Sequence, residues 1–76
     1  MGITPNEFQF MLETMTAELI ERLMRQEHYD FKKAVDTVYA SDTYLALSKP
    51  ETCLYYQSPG YVMQYLTREI KTGKIS

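Results

Sequence analysis

An all-α fold, a small bundle of a long N-terminal helix, two shorter helices and a C-terminal helix, is predicted by three features of this 76-residue chain. Apolar residues return at helical spacing through most of its length. Polar residues able to cap a helix stand at Thr4, Asp30, Ser41 or Asp42, and Ser58, each just ahead of such a pattern. No segment gives a strong strand signal; Thr52 to Tyr56 could at most pair briefly. The whole of residues 1–76 reads as a single helical domain, because a chain of this length has room for one core.

The first helix is expected to begin at Thr4-Pro5-Asn6-Glu7. Thr4 can accept from the exposed backbone N–H groups, Pro5 suits the first helical position, and Glu7 can reach back to Thr4 as a capping box. Phe8, Met11, Leu12, Met15, Leu19 and Leu23 then form one apolar stripe, while Phe10, Ala17, Ile20 and Met24 fall on a second side. Glu7, Thr14, Glu18, Glu21, Arg22 and Arg25 fill the remaining sector. Glu18 with Arg22 and Glu21 with Arg25 are i,i+4 pairs in the favourable order, each worth roughly 0.3–0.5 kcal/mol. A helix apolar over more than half its circumference needs neighbours on two sides. The second neighbour is either the rest of this chain or another polypeptide.

Gln26 to Tyr29 reads as a link, with His28 at a helix end where a cation suits the dipole. Asp30 caps a second helix that places Phe31, Ala34, Val35, Val38 and Tyr39 on one face and Lys32, Lys33 and Asp36 on the other. A shorter helix follows with Tyr44, Leu45 and Leu47, and Lys49-Pro50 ends it, since a residue before proline leaves the helical region. Ser58 and Pro59 open the last helix, which buries Val62, Met63, Leu66 and Ile70 and packs back on the first. Gly73 stops it, with Arg68, Lys71 and Lys74 near its negative dipole end. Between the two prolines lies a tyrosine-rich connection. Adjacent Tyr55 and Tyr56 cannot both face one core in an extended segment, so one is expected to point outward as a surface anchor.

Composition narrows the chemistry. A net charge of −2 and scattered Lys and Arg disfavour a nucleic-acid binder. A helix-turn-helix over residues 31–48 is rejected because Thr43 to Ser48 is short and lacks Arg, Asn or Gln for base edges. No apolar run is long enough for a membrane span, and no basic-then-apolar leader opens the chain, so a cytoplasmic location is expected. Cys53 and His28 are the single cysteine and histidine, which leaves no metal-ligand spacing and no disulfide. They lie on different elements, so a nucleophile–base pair is not expected, and Cys53 reads as a small half-buried hydrophobe. The three glycines form no phosphate loop. No cofactor and no small-molecule substrate are expected, and the chain reads as non-catalytic.

What remains is docking. Phe10, Ile20 and Met24 are the expected partner-binding anchors, with Tyr55 and Tyr56 at the rim, since tyrosine supplies a rigid apolar body with a polar tip. The expected partner is a second copy of the chain or a larger bacterial protein. A DNA-associated transcriptional regulator is the alternative; it requires Lys32, Lys33, Arg68, Lys71 and Lys74 to converge.

At Leu47-x-x-Pro50-Glu51-Thr52-x-Leu54-Tyr55-x-Gln57-Ser58-Pro59-x-Tyr61-Val62 the chain resembles a family of small uncharacterised bacterial helical proteins, classed as a domain of unknown function. The match covers roughly the C-terminal third. Some members accompany toxin-like genes, so the resemblance implies an accessory or antitoxin-like binding role. It brings no catalytic residues.

Overall fold

The computed structural model describes residues 2–73, and its first helix, α1 (Pro5–Gln26), starts on the reciprocal cap spelled by the sequence. Thr4 Oγ1 accepts from the Glu7 N–H at 3.1 Å, and Glu7 Oε1 accepts from the Thr4 N–H at 3.0 Å. Two of the backbone donors orphaned at a helix start are thereby satisfied. At its far end His28 enters the left-handed region (φ 59°). Histidine tolerates that conformation better than most side chains. The reversal points the Tyr29 N–H at the Leu23 carbonyl, 3.5 Å away.

Asp30 Oδ1 caps α2 (Phe31–Ala40) through the Lys33 N–H at 2.8 Å. Ser41 alone separates α2 from α3 (Asp42–Leu47), in extended conformation, and serves both helices. Its hydroxyl donates to the Val38 carbonyl at 2.6 Å and accepts from the Tyr44 N–H at 2.9 Å. The Asp42 and Thr43 N–H groups donate to the Glu69 carboxylate at 2.7 and 2.9 Å, and the Thr43 hydroxyl donates to it at 2.8 Å. Leu45 N–H reaches the Ser41 carbonyl at 3.2 Å. Every early donor of this six-residue helix is therefore paired, two of them by a side chain from another helix.

Between Lys49 and Ser58 the structure corrects the expected irregular, briefly extended connection. It forms two 3₁₀ turns, Pro50–Thr52 and Leu54–Tyr56, joined by Cys53 in left-handed conformation (φ 60°, ψ 15°). The Thr52 hydroxyl lies within hydrogen-bond reach of the Ala46 and Lys49 carbonyls, at 2.8 and 2.9 Å, and it accepts from the Leu54 N–H at 3.3 Å. A side chain thus replaces the pairing a strand would have needed. α4 (Pro59–Thr72) follows, capped by Ser58 and closed by Gly73 at φ 86°. Lys74 lies outside the described residues.

The fold is an all-α bundle of four helices, with no strand among the described residues. Leu12, Met15, Leu19 and Leu23 of α1 meet Ala34 and Val38 of α2, Leu47 of α3, and Val62, Met63 and Leu66 of α4 in one core. The inward face of α2 is narrower than its sequence suggests. Phe31 and Tyr39 are exposed and Val35 half-buried, because the single-residue link tucks α3 beside α2 and leaves room inside only for Ala34 and Val38. Leu45 of α3 is likewise exposed and Ile70 of α4 half-buried. α4 runs in the same sense as α1: Pro59 shares a groove with Met11 and Met15, while Arg68 and Lys71 share one with Arg22 and Gln26. Among the described residues no helix is long and apolar enough to cross a membrane.

Two outcomes follow from these contacts. Glu69→Ala should destabilise the fold by about 1–3 kcal/mol, the cost of stripping partners from part-buried donors, whereas exposed Lys71→Ala should stay within about 0.5 kcal/mol; urea denaturation measures both. The Glu7 carboxyl is held below the usual carboxylate range by its backbone and then its hydroxyl bond to Thr4. A depressed folded pKa stabilises above the ordinary carboxylate range, and that contribution is lost as pH falls through the lowered value. Amide exchange at Thr4, whose N–H donates to the Glu7 carboxylate, should therefore speed up beyond intrinsic chemistry on acidification in the wild type and lose that pH dependence in Glu7→Gln.

Candidate protein-docking site

Phe10 stands on the side of α1 opposite the core and is 69% exposed. Its neighbour Met11 is half-buried and leans toward α4. Together they border an apolar groove of about 220 Å³ whose other walls are Thr14, Met15, Glu18, Tyr55, Gln57 and Pro59. A second apolar groove, about 500 Å³, lies on the N-terminal side of the same two residues and is lined by Ile3, Asn6 and Glu7. Phe10 is thus a ridge between two hollows. Exposed large apolar side chains are informative when they adjoin such concavities, not when they stand alone.

The wall contributed by Tyr55 has a definite cause. The left-handed turn at Cys53 and the following 3₁₀ turn swing Tyr55 back over the start of α1, where its ring meets Phe8 edge-on at 5.0 Å between centroids and 81° between planes. Such a contact adds about 0.5–1.5 kcal/mol to the burial itself. Tyr56 points outward and is 76% exposed, with its ring 6.1 Å from that of Tyr55. One of the two adjacent tyrosines faces solvent, as expected, although the backbone is turned and not extended. Cys53, expected half-buried, is exposed. It lines a further hollow with Pro50, Glu51, Phe8 and Gln9.

The five residues chosen from the sequence do not form one surface. Phe10 and Tyr55 share a groove, and Tyr56 borders Tyr55. Ile20 is half-buried and packs against the core of its own chain. Met24 is exposed at 38%, one helical turn beyond Ile20. Neither lines the grooves around Phe10. Along the outermost crest Phe10 and Ala17 share a hollow with Glu13, Glu18 and Glu21, so this part of α1 is acidic between its apolar residues.

No family model matches this chain, and neither the curated proteins nor the solved structures give a match.

Farther along the α1–α4 seam a groove of about 510 Å³ is lined by Arg22, Arg68 and Lys71 with Gln26, Gln64 and Thr67. The i,i+4 pairs of α1 are present, Arg22 with Glu18 at 3.5 Å and Arg25 with Glu21 at 4.0 Å. On α2, Lys32 is held by Asp36 at 2.8 Å, which raises its pKa chiefly through that hydrogen bond. Lys33 sits 4.4 Å from the Tyr29 ring centroid. Neither lysine lines the groove of Arg68 and Lys71. Outside the grooves, Tyr61 and Tyr65 share a hydroxyl–hydroxyl contact of 3.0 Å, which raises the Tyr61 pKa. Among the described residues no three His, Cys, Asp or Glu side chains are gathered as metal ligands.

Met11, Gln57 and Pro59 were not legible as groove residues, because their convergence depends on how the 3₁₀ turns return the chain. Tyr55→Ala should cost about 1–2 kcal/mol, combining partial burial with the lost ring contact, and Tyr56→Ala should stay within about 0.5 kcal/mol. Thermal and urea unfolding of the two variants distinguishes the structural ring from the outward one.

Proposed function

We propose that this chain is a non-catalytic protein-interaction module of the bacterial cytoplasm. It acts through self-association or as the small, accessory or antitoxin-like partner of a larger protein. The observation that carries this reading is Phe10, a large aromatic ring left open between two apolar hollows, one of them walled by Tyr55. Burying a side chain of this size against a partner is worth on the order of 1.5–3 kcal/mol. Aromatic anchors seated beside a pocket are the usual centres of binding energy in protein interfaces. Tyr56 supplies an outward rim residue next to the same wall, and Met24 extends the exposed apolar surface toward the end of α1. The resemblance of residues 47–62 to small bacterial proteins, some of which accompany toxin-like genes, is what suggests the accessory role.

A transcriptional regulator would need its cations on one surface. Lys32 and Lys33 are engaged on α2 by Asp36 and Tyr29, apart from the groove that Arg68 and Lys71 line. Protein docking is the better-supported reading.

Phe10 is a cleaner probe than Ile20, whose substitution by a charged residue would disturb packing within the protomer. Phe10→Ser should leave circular dichroism and unfolding within about 0.5 kcal/mol of wild type. If the wild type self-associates, light scattering after size exclusion should show the variant reduced to protomer mass. If the wild type is monomeric, its complex with a native partner should weaken by about tenfold or more. A Phe10→Ser variant with unchanged mass and unchanged partner affinity would overturn the assignment.

A further inference from the structure

Two separate grooves follow one another along the α1–α4 seam, with the Glu18–Arg22 pair between them, and make a track with two chemically different ends. One end is apolar, bounded by Phe10, Met11, Met15, Tyr55 and Pro59. The other is cationic, with Arg22, Arg68 and Lys71 and no acidic side chain among the residues that line it. About ten residues of α1 separate the two centres, roughly 15 Å at the helical rise. A segment of three helical turns spans that distance.

The cationic end is prepared for an acceptor. Arg22 Nε is shut off from solvent without a hydrogen bond; its nearest carboxylate, Glu18 Oε1, stands at 3.5 Å as an ion pair. That Nε edge stays with Glu18, and Arg22, its side chain 29% exposed, meets an incoming acceptor through the rest of its guanidinium. Guanidinium groups bind carboxylates through paired, planar contacts, which a lysine beside them reinforces as a point charge. Met63 and Gly60 supply an apolar floor, and a Cβ at Gly60 would meet nothing within 4 Å, so the floor is open at that point.

We propose that the track binds a segment of a different protein that is apolar at one end and rich in Asp or Glu at the other. Its apolar end sits on Phe10 and Tyr55, and its acidic end sits on Arg22, Arg68 and Lys71. This rests on the docking reading above and names the partner's chemistry. A second copy of the chain fits the track poorly. A twofold axis along it lays cations on cations, and an axis across it sets Phe10 and Tyr55 against the partner's cations, with Glu18, already paired to Arg22, as the one carboxylate lining that groove. Nucleic acid fits poorly as well. Its phosphates run the full length of a strand, whereas this track is cationic at one end and carries Glu18 at the other.

The test uses a short helix-forming peptide with a Leu-Phe pair at one end and a run of Glu at the other, made in both chain directions, and its Gln-for-Glu counterpart. Amide shifts of the folded protein should move at both Met11 and Thr67 for one direction of the Glu peptide. The Gln peptide should bind about tenfold more weakly at low salt. Arg68→Gln/Lys71→Gln, both exposed positions, should abolish that difference while keeping the fold by circular dichroism. Phe10→Ser should weaken both peptides alike. Equal binding of Glu and Gln peptides, lost in Phe10→Ser, would overturn the acidic end and leave the docking module standing. No binding of either peptide at millimolar concentration, or tighter binding of a single-stranded oligonucleotide of equal charge, would overturn the proposed segment, while the mass and partner affinity of Phe10→Ser decide the docking reading separately.

Discussion

The carboxylate of Glu69 is the contact on which the rest of this architecture depends. α3 is six residues long, too short to persist by its own propensity, and helices of that size are held by what surrounds them. Glu69 reaches from the last turns of α4 to the first two N–H groups of α3 and to the Thr43 hydroxyl, and Ser41 takes the third donor. A negative group at a helix start also complements its dipole. With α3 fixed across α4, Leu47 enters the core and the chain leaves toward the N-terminal end of α1. Tyr55 can then meet Phe8. One part-buried acid therefore sets the position of a wall in a groove on the far side of the polypeptide.

The parallel course of α1 and α4 follows from lengths. α1 has 22 residues, about 33 Å; α2, with 10, returns about 15 Å beside it, and α3, with 6, turns aside to pack on α4. The two 3₁₀ turns cover the remaining distance and deliver Ser58-Pro59 beside Met11 and Met15. A longer or straighter connection would bring α4 back antiparallel or offset. The compact turns require a left-handed residue at Cys53, a conformation that costs an ordinary side chain roughly 1–2 kcal/mol. The Thr52 hydroxyl, bonded to the end of α3 and to the next turn, offsets part of that cost. Backbone strain and a side-chain tie thus meet at the same two residues, next to the Tyr55 wall of the groove.

What the sequence made legible is what local physics decides. The caps at Thr4, Asp30, Ser41 and Ser58 act within three residues of themselves, so the helix starts could be read, that of α3 to within the choice of Ser41 or Asp42. The core stripe of α1 follows from spacing alone, and so does the outward position of Phe10. Glu69 could not be read, because its backbone partners lie 26 and 27 positions away. The 3₁₀ turns were hidden for a related reason. Nothing in a cysteine announces positive φ, and apolar residues with tyrosines suggest extension as readily as a turn. Phe31 and Tyr39 looked inward by period but are open, since the width of the buried face is set by where neighbouring helices stop, not by the period itself.

The exposed apolar side chains carry a thermodynamic consequence. A chain of this size buries a modest core, and its folding margin is correspondingly small. Phe10, Phe31, Tyr39, Leu45 and Tyr56 stay outside that core and add little to the stability of the isolated protomer. A partner that covers Phe10 and the Tyr55 wall binds only the folded arrangement, because that wall exists only when Glu69, α3 and the 3₁₀ turns are in place. By mass action its binding free energy is then added to folding stability. Occupation of this groove by the proposed partner would therefore be coupled to folding through the same few contacts.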